Sequence, residues 1–503
     1  MTPAPAAPIP LRTAASAPKR GDFADWLSPI LVKELRQGLQ SKLFVSAFVL
    51  LQAAMVLFVG LGLISVTEDR NSSGFIFQGF FQVCVWVPLL IFMPARGLRA
   101  IGDETRAQTL DLVQLTRMSS FRIVWGKWLA LVAQTCLLAS AMLPYAVLQY
   151  YFGKVDVVGE LVWFATLLLG SMVLTAAAVG LSSAHVGVRA LVLLMVLPST
   201  FTIGGFNYFF LRGISGAAAF SFSGLGEAAL WIIPSAALYI YFFLELGASK
   251  IAPLAENHSA RKRFLVLVLA AVIAGAGWCC SDEVVFAFLG IFAPIIGFVV
   301  LEALCEMPVL MPGIYRPFAM RGIGGRLLGR LFYPGWASGV IFAAVVHALL
   351  WIGLAGAYRK TISSEIDQAI FRAIAPMVFA ALVSPLPLLQ LFPRLTRRFW
   401  PYMLVQVLCV LLFTIATIIS QAHHGDLNGP FMLLAPCPTA ALLALLSHSD
   451  QKDLAKWILD FAPLADVILF IWLGVLMLRQ FSIIRKMENL SLGRDQAATE
   501  ASA

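Results

Sequence analysis

RGLRAIGDETRAQTLDLVQLTRMSSFRIVWGKWLA, residues 96–130, is a long polar interruption between apolar runs that are each long enough to cross a bilayer. It carries Arg96, Arg99, Arg106, Arg117, Arg122 and Lys127, with Asp103, Glu104 and Asp111 interleaved. Ala107, Leu110, Val113 and Gln114 recur at helical spacing, with Leu112 and Leu115 beside them. That pattern predicts a short amphipathic helix along the membrane surface, on which something outside the membrane can press. An ordinary basic loop is the competing reading of the same residues.

The flanking runs set the class. Hydrophobic residues make up 60% of the chain and charged ones 13%. Together with a mean hydropathy of +0.86, this points to an all-α, polytopic bundle of about 12 spans. A soluble domain of this length would need far more charge to cover its surface. The net charge of +9 invites a nucleic-acid reading, but Lys and Arg gather in alternate loops while the acids are spread evenly. That distribution orients a membrane protein rather than binding a polyanion. The expected surroundings are therefore a lipid bilayer and no nucleic acid. Cys84, Cys136, Cys279, Cys280, Cys305, Cys409 and Cys437 lie in apolar segments with no CxxC or Cys/His ligand spacing, which fits packing residues. No cofactor or metal is implied.

Residues 1–22 are rich in Pro and Ala and read as a disordered cytoplasmic tail. In DWLSPILVKELRQGLQSK, Ser28-Pro29 is a helix start. Leu27, Leu31, Leu35 and Leu39 form an apolar stripe, with Lys33, Arg36, Gln37 and Gln40 on the other side. This predicts an interfacial helix over 28–41. Spans are expected near 43–66, 75–95, 123–152, 158–182, 190–211 and 227–247. The second half opens on a basic HSARKRF, and its spans fall near 264–280, 284–305, 335–356, 372–392, 401–421 and 461–478. Its long inner loop, 307–333, holds Arg316, Arg321, Arg326 and Arg330. In the outer segment 422–459, the apolar piece at 431–447 reads as re-entrant rather than crossing, because its prolines interrupt it.

The halves repeat one order of basic lead-in, hairpins, inner loops and broken outer segment. Arg122-Ile-Val-Trp-Gly-Lys-Trp128 even matches Arg330-Leu-Phe-Tyr-Pro-Gly-Trp336 in character. This suggests two six-span modules in parallel orientation, 23–250 and 251–485, followed by a cytoplasmic tail at 486–503. Chance likeness of apolar, Gly-rich stretches is the alternative.

Over roughly 25–250 the chain resembles the membrane permease subunits of type-2 exporters of the ATP-binding cassette (ABC) class. SPILVKELRQGLQSK resembles their elbow helix, which places Pro29, Lys33, Glu34 and Arg36 on that element. ETRAQTLDLVQLTRMSSFRIVWGKWLA resembles their coupling loop, in which an acidic residue precedes a Thr-Leu-Asp-Leu run, a small-residue turn and a Gly-Lys. The resemblance implies that Glu104, Thr109, Leu110, Asp111 and Leu112 contact a separate ATPase, with Ser119, Ser120, Gly126 and Lys127 completing the pattern. Segment 307–333 lacks the acidic run, so the likeness does not extend docking to it.

The chain carries no GxxxxGK[ST] phosphate loop, so any hydrolysis belongs to another chain. It also lacks HExxH. Gly213-Ile-Ser215-Gly216 resembles a rhomboid serine-protease motif but reads better as a plain loop. His423, His424 and His448 share the outer segment with Asp426, Asp450 and Asp453, and a polar loop explains them better than a metal site. Among ionisable groups near spans, Asp466 is the first candidate for a transport pathway, followed by Glu302 and Glu245, which lie near inner ends where they can snorkel or pack.

The expected function is a non-enzymatic permease subunit in a plasma (bacterial inner) membrane, with both termini cytoplasmic. One chain supplies both halves of a transporter, or two pair as a homodimer. The alternatives are an ATP-independent secondary transporter or channel, and a membrane scaffold in a larger assembly.

Overall fold

The computed structural model describes residues 29–68, 81–102, 118–152, 157–182, 222–253, 256–359, 365–392, 398–422, 437–447 and 452–502. Among these residues the chain is all-helical, with no strand. It divides into two compact units, Met1–Ile251 and Ala252–Ala503.

The first unit contains α1 (Pro29–Leu39), α2 (Lys42–Glu68), α3 (Phe81–Gly97), α4 (Ser120–Phe152), α5 (Val157–Leu181) and α6 (Phe222–Ile251). Ser41 separates α1 from α2. Its hydroxyl donates to Gly38 O at 2.8 Å and accepts from the Phe44 N–H at 3.3 Å, so one side chain serves both helix ends. Helix α3 takes a π turn over Val87–Phe92, where the Met93 N–H reaches back to Pro88 O. That leaves Leu89 O without its usual donor, and the next backbone candidate, Pro94, has no N–H. Ser171 of α5 supplies the bond, its hydroxyl donating to Leu89 O at 2.5 Å. Helices α5 and α6 touch backbone to backbone: a Cβ on Gly180 would lie 2.1 Å from Phe243 O, and one on Gly247 2.9 Å from Gly180 Cα. Such small-residue crossings hold helices together in lipid, where burial of apolar surface supplies no drive.

The second unit contains α7 (His258–Cys279), α8 (Asp282–Cys305), α9 (Pro312–Ala319), α10 (Gly322–Phe332), α11 (Trp336–Tyr358), α12 (Glu365–Val383), α13 (Pro385–Gln390), α14 (Phe399–Ala422), α15 (Pro438–Ser447) and α16 (Lys452–Ser502). Asn257 caps α7, its side-chain oxygen accepting from the Ala260 N–H at 3.0 Å. Helix α15 is about 15 Å long, half the hydrocarbon thickness. It rests on α14 through a Thr439 hydroxyl that donates to Gln406 Oε1 at 3.0 Å. Helix α16 begins inside the stretch that the sequence reading gives to an outer segment, and it runs past the expected end at 478 to Ser502. The residues beyond 478 include Arg485, Lys486, Met487, Glu488, Leu490 and Leu492, all good helix formers, so nothing ends the helix where the apolar run ends.

Among the described residues nine helices are long and apolar enough to cross a membrane by length and composition; Phe81–Gly97 and Ile374–Gln390 are shorter apolar helices. The expected span at 190–211 lies outside the described residues. Along α14, Leu404, Val407, Leu408, Leu411, Ile415 and Ile418 are all exposed. Water does not tolerate an apolar face of that length, whereas acyl chains do. These are the features of an integral membrane protein.

Candidate functional site

In the first unit the predicted elbow, α1, lies along the start of α4. Gly126 permits the approach, since a Cβ there would meet Ile30 Cγ2 at 3.1 Å. Leu31 buries its side chain, and Glu34 faces Lys127, whose ammonium donates to Glu34 Oε1 at 2.9 Å. Lys127 is buried, so this pair exchanges little with solvent and holds more firmly than a surface ion pair. Arg96, at the end of α3, reaches the same place. Its Nη1 donates to Gln134 Oε1 of α4 at 2.5 Å and its Nη2 to Gly38 O of α1 at 3.5 Å. Its guanidinium also lies over the rings of Phe44 and Phe92, at 5.1 and 5.9 Å. The three helices border an open pocket of about 350 Å³, which Gln37, Ser41 and Arg99 also line.

These contacts make a joint: Glu34 pairs with Lys127, and Arg96 ties α3 to Gln134 of α4 and to the Gly38 carbonyl of α1. Of the predicted elbow residues, Glu34 enters the joint, Pro29 begins the helix, and Lys33 and Arg36 are exposed. Glu104, Thr109, Leu110, Asp111 and Leu112 lie outside the described residues. In the sequence that stretch lies between Arg96 and Lys127, both of which stand in the joint. Exchange of the two charges tests the joint. Lys127→Glu alone is expected to cost about 2–5 kcal/mol, because a buried position then faces a like charge. Adding Glu34→Lys is expected to recover at least half of that loss, measured by thermal unfolding of the four-variant cycle in detergent. Strictly additive losses would contradict it.

The second unit contains a hub that the sequence reading passes over. Arg263 of α7 is entirely buried. Its Nη1 donates to Leu331 O at 3.1 Å and Tyr333 O at 2.8 Å. Its Nη2 donates to Glu306 Oε2 at 2.8 Å and Gly335 O at 3.3 Å, and the ring of Phe342 lies 5.6 Å away. Glu306 also accepts from the Ser259 hydroxyl and from the Gly335 N–H at 3.4 Å. Gly335 has φ 129°, which disfavours any side chain, and a Cβ there would meet Pro308 Cα at 3.1 Å. Beside the hub, Lys262 pairs with both oxygens of Glu302 at 2.7 Å, so that candidate pathway carboxylate has a structural partner.

The segment expected as a basic loop at 307–333 instead forms α9 and α10, with α9 and the Tyr333 end of α10 held against α16. Tyr333 donates to Glu488 Oε1 at 3.0 Å and packs on Tyr315, whose hydroxyl donates to Val309 O at 2.9 Å. Burial, reinforced by Glu488 and Glu306, pushes the Tyr315 phenol up to about 12, and burial with Glu488 raises that of Tyr333. Both phenols therefore remain donors. The spacing of Ile323, Leu327, Leu328 and Leu331, with Pro312 at a helix start, was the available sign of these helices. Nothing in sequence singles Arg263 out from Arg261 and Lys262 beside it.

Of the other pathway candidates, Glu245 is buried near the end of α6 and Asp466 is buried in α16. Asp466 Oδ1 has no hydrogen-bond partner. Among the described residues no cluster of three His, Cys, Asp or Glu side chains is placed to hold a metal. The side chains of His423, His424, His448, Asp426, Asp450 and Asp453 lie outside the described residues, as does Ser215. No family model, no curated protein and no solved structure matches this chain.

Proposed function

We propose that the chain is the transmembrane permease subunit of an ATP-driven ABC exporter, resident in a plasma (bacterial inner) membrane with both termini cytoplasmic. It has about 12 spans in two six-span modules and no enzymatic activity of its own. Hydrolysis takes place on a separate ABC ATPase that docks at Glu104, Thr109, Leu110, Asp111 and Leu112. The observation that carries this reading is the ion pair between Glu34 and Lys127. The two stretches that resemble the exporter pattern, the elbow and the Gly-Lys at the end of the coupling loop, hold each other across 93 residues of sequence. A push on the loop would be delivered to Arg96 and Lys127, and from them to α1, α3 and α4 together.

A second reading, an ATP-independent transporter, is favoured by one observation: the unpartnered, buried carboxyl oxygen of Asp466. Intramembrane acids of this kind serve ion and proton pathways. The two readings separate in a strain deleted for the chain. The exporter reading predicts that Asp466→Asn restores the lost phenotype and that Glu104→Lys with Asp111→Lys does not. The opposite pattern would select the secondary transporter.

A further inference from the structure

We propose that α10 is a lipid-binding helix whose outward face inserts into a leaflet of anionic phospholipids. The inference rests on the membrane-embedded fold and not on the ATPase reading. At about 100° per residue, Gly325 and Gly329 share one side of α10, Ile323 and Leu327 lie opposite, and Leu328 lies on the flank between them. The glycine side is the packed one. A Cβ on Gly325 would lie 2.3 Å from Phe318 O, and one on Gly329 would lie 2.4 Å from the Tyr333 ring. The bulky side chains consequently point away from the protein, with Ile323 80% exposed, Met320 62%, Leu327 60% and Leu328 58%. An amphipathic helix that packs on a soluble core does the reverse.

The charges identify what covers this face. Arg321 borders it on one side and Arg326 and Arg330 on the other, and 307–333 contains no Asp or Glu. Arg326 is half-buried, and the Arg330 guanidinium lies 5.4 Å from the ring of Phe481. Apolar side chains between rows of arginine match the acyl boundary and the phosphates of an anionic leaflet. The depth also fits, since no more than about 14 Å of chain separates Phe332 from Trp336, where the next apolar helix begins. Arg263 and the Tyr333–Glu488 bond fix the helix in this position, so the face is presented ready-made.

The test replaces Leu327 with the photo-crosslinker p-benzoylphenylalanine in the full chain, at an exposed position that packing does not constrain. The chain is reconstituted into vesicles of phosphatidylcholine with a minor share of phosphatidylglycerol, irradiated and read by mass spectrometry. The expected product is a lipid adduct in which phosphatidylglycerol exceeds its share of the vesicle by about fivefold or more. Arg321→Gln, Arg326→Gln and Arg330→Gln together should return the adducts to bulk composition. Irradiation in native membranes should likewise give lipid adducts. Adducts to another polypeptide there would overturn the proposal, as would adducts in vesicles that carry no anionic enrichment.

Discussion

Arg263→Met is expected to destabilise the second unit by about 3–5 kcal/mol, the cost of leaving a buried ionic network without its centre. Methionine fills a similar volume but donates nothing to Leu331 O, Tyr333 O or Gly335 O, and it leaves Glu306 with an uncompensated charge. Removing the acid as well, with Glu306→Gln, should recover part of the loss, because the stranded charge goes with it. Arg263→Lys should recover less than its retained charge suggests, since one ammonium cannot span acceptors that a planar guanidinium reaches from two nitrogens. Thermal unfolding in detergent measures all three variants. Proteolysis within 307–333 reports separately whether α9 and α10 have come away from α16. A stable Arg263→Met protein with that segment still protected would contradict the role given to the hub.

Glu104→Lys with Asp111→Lys is expected to abolish ATPase-coupled transport while insertion and thermal stability stay unchanged. The resemblance puts both carboxylates at a contact with a separate chain. Breaking hydrogen-bonded charge pairs at a protein interface costs about 2–5 kcal/mol each, enough to lower occupancy more than a hundredfold for the pair. Reversal adds repulsion to that loss. Retained transport with retained ATPase would mean that the contact lies elsewhere or does not exist.

The sequence and the structure inform each other unevenly, and the reasons are physical. The membrane class is legible because spanning a bilayer demands long apolar runs, and α4, α8 and α11 each supply one. Helix α1 is legible because it keeps an apolar stripe at four-residue spacing. Its partner is not, since helical periodicity says which side of α1 is apolar and nothing about which residue Glu34 will meet. Arg263 is hidden for the same reason: among neighbouring cations, only the tertiary fold decides which one is buried. Helix α10 escaped because its four glycines read as a loop, whereas two of them, Gly325 and Gly329, form its packing surface.

The central claim is that this chain carries an ATPase, and the most direct measurement is native mass spectrometry of the full chain gently extracted from its own membrane. The account predicts a complex in which the 54.7 kDa chain holds a soluble subunit bearing a phosphate loop and an ABC signature in fixed ratio. Two such subunits per chain would mean that both modules dock one, and one per chain that only the loop at 103–117 does. The chain alone, or bound only to lipid, would contradict the account and leave Asp466 as the residue around which to rebuild it.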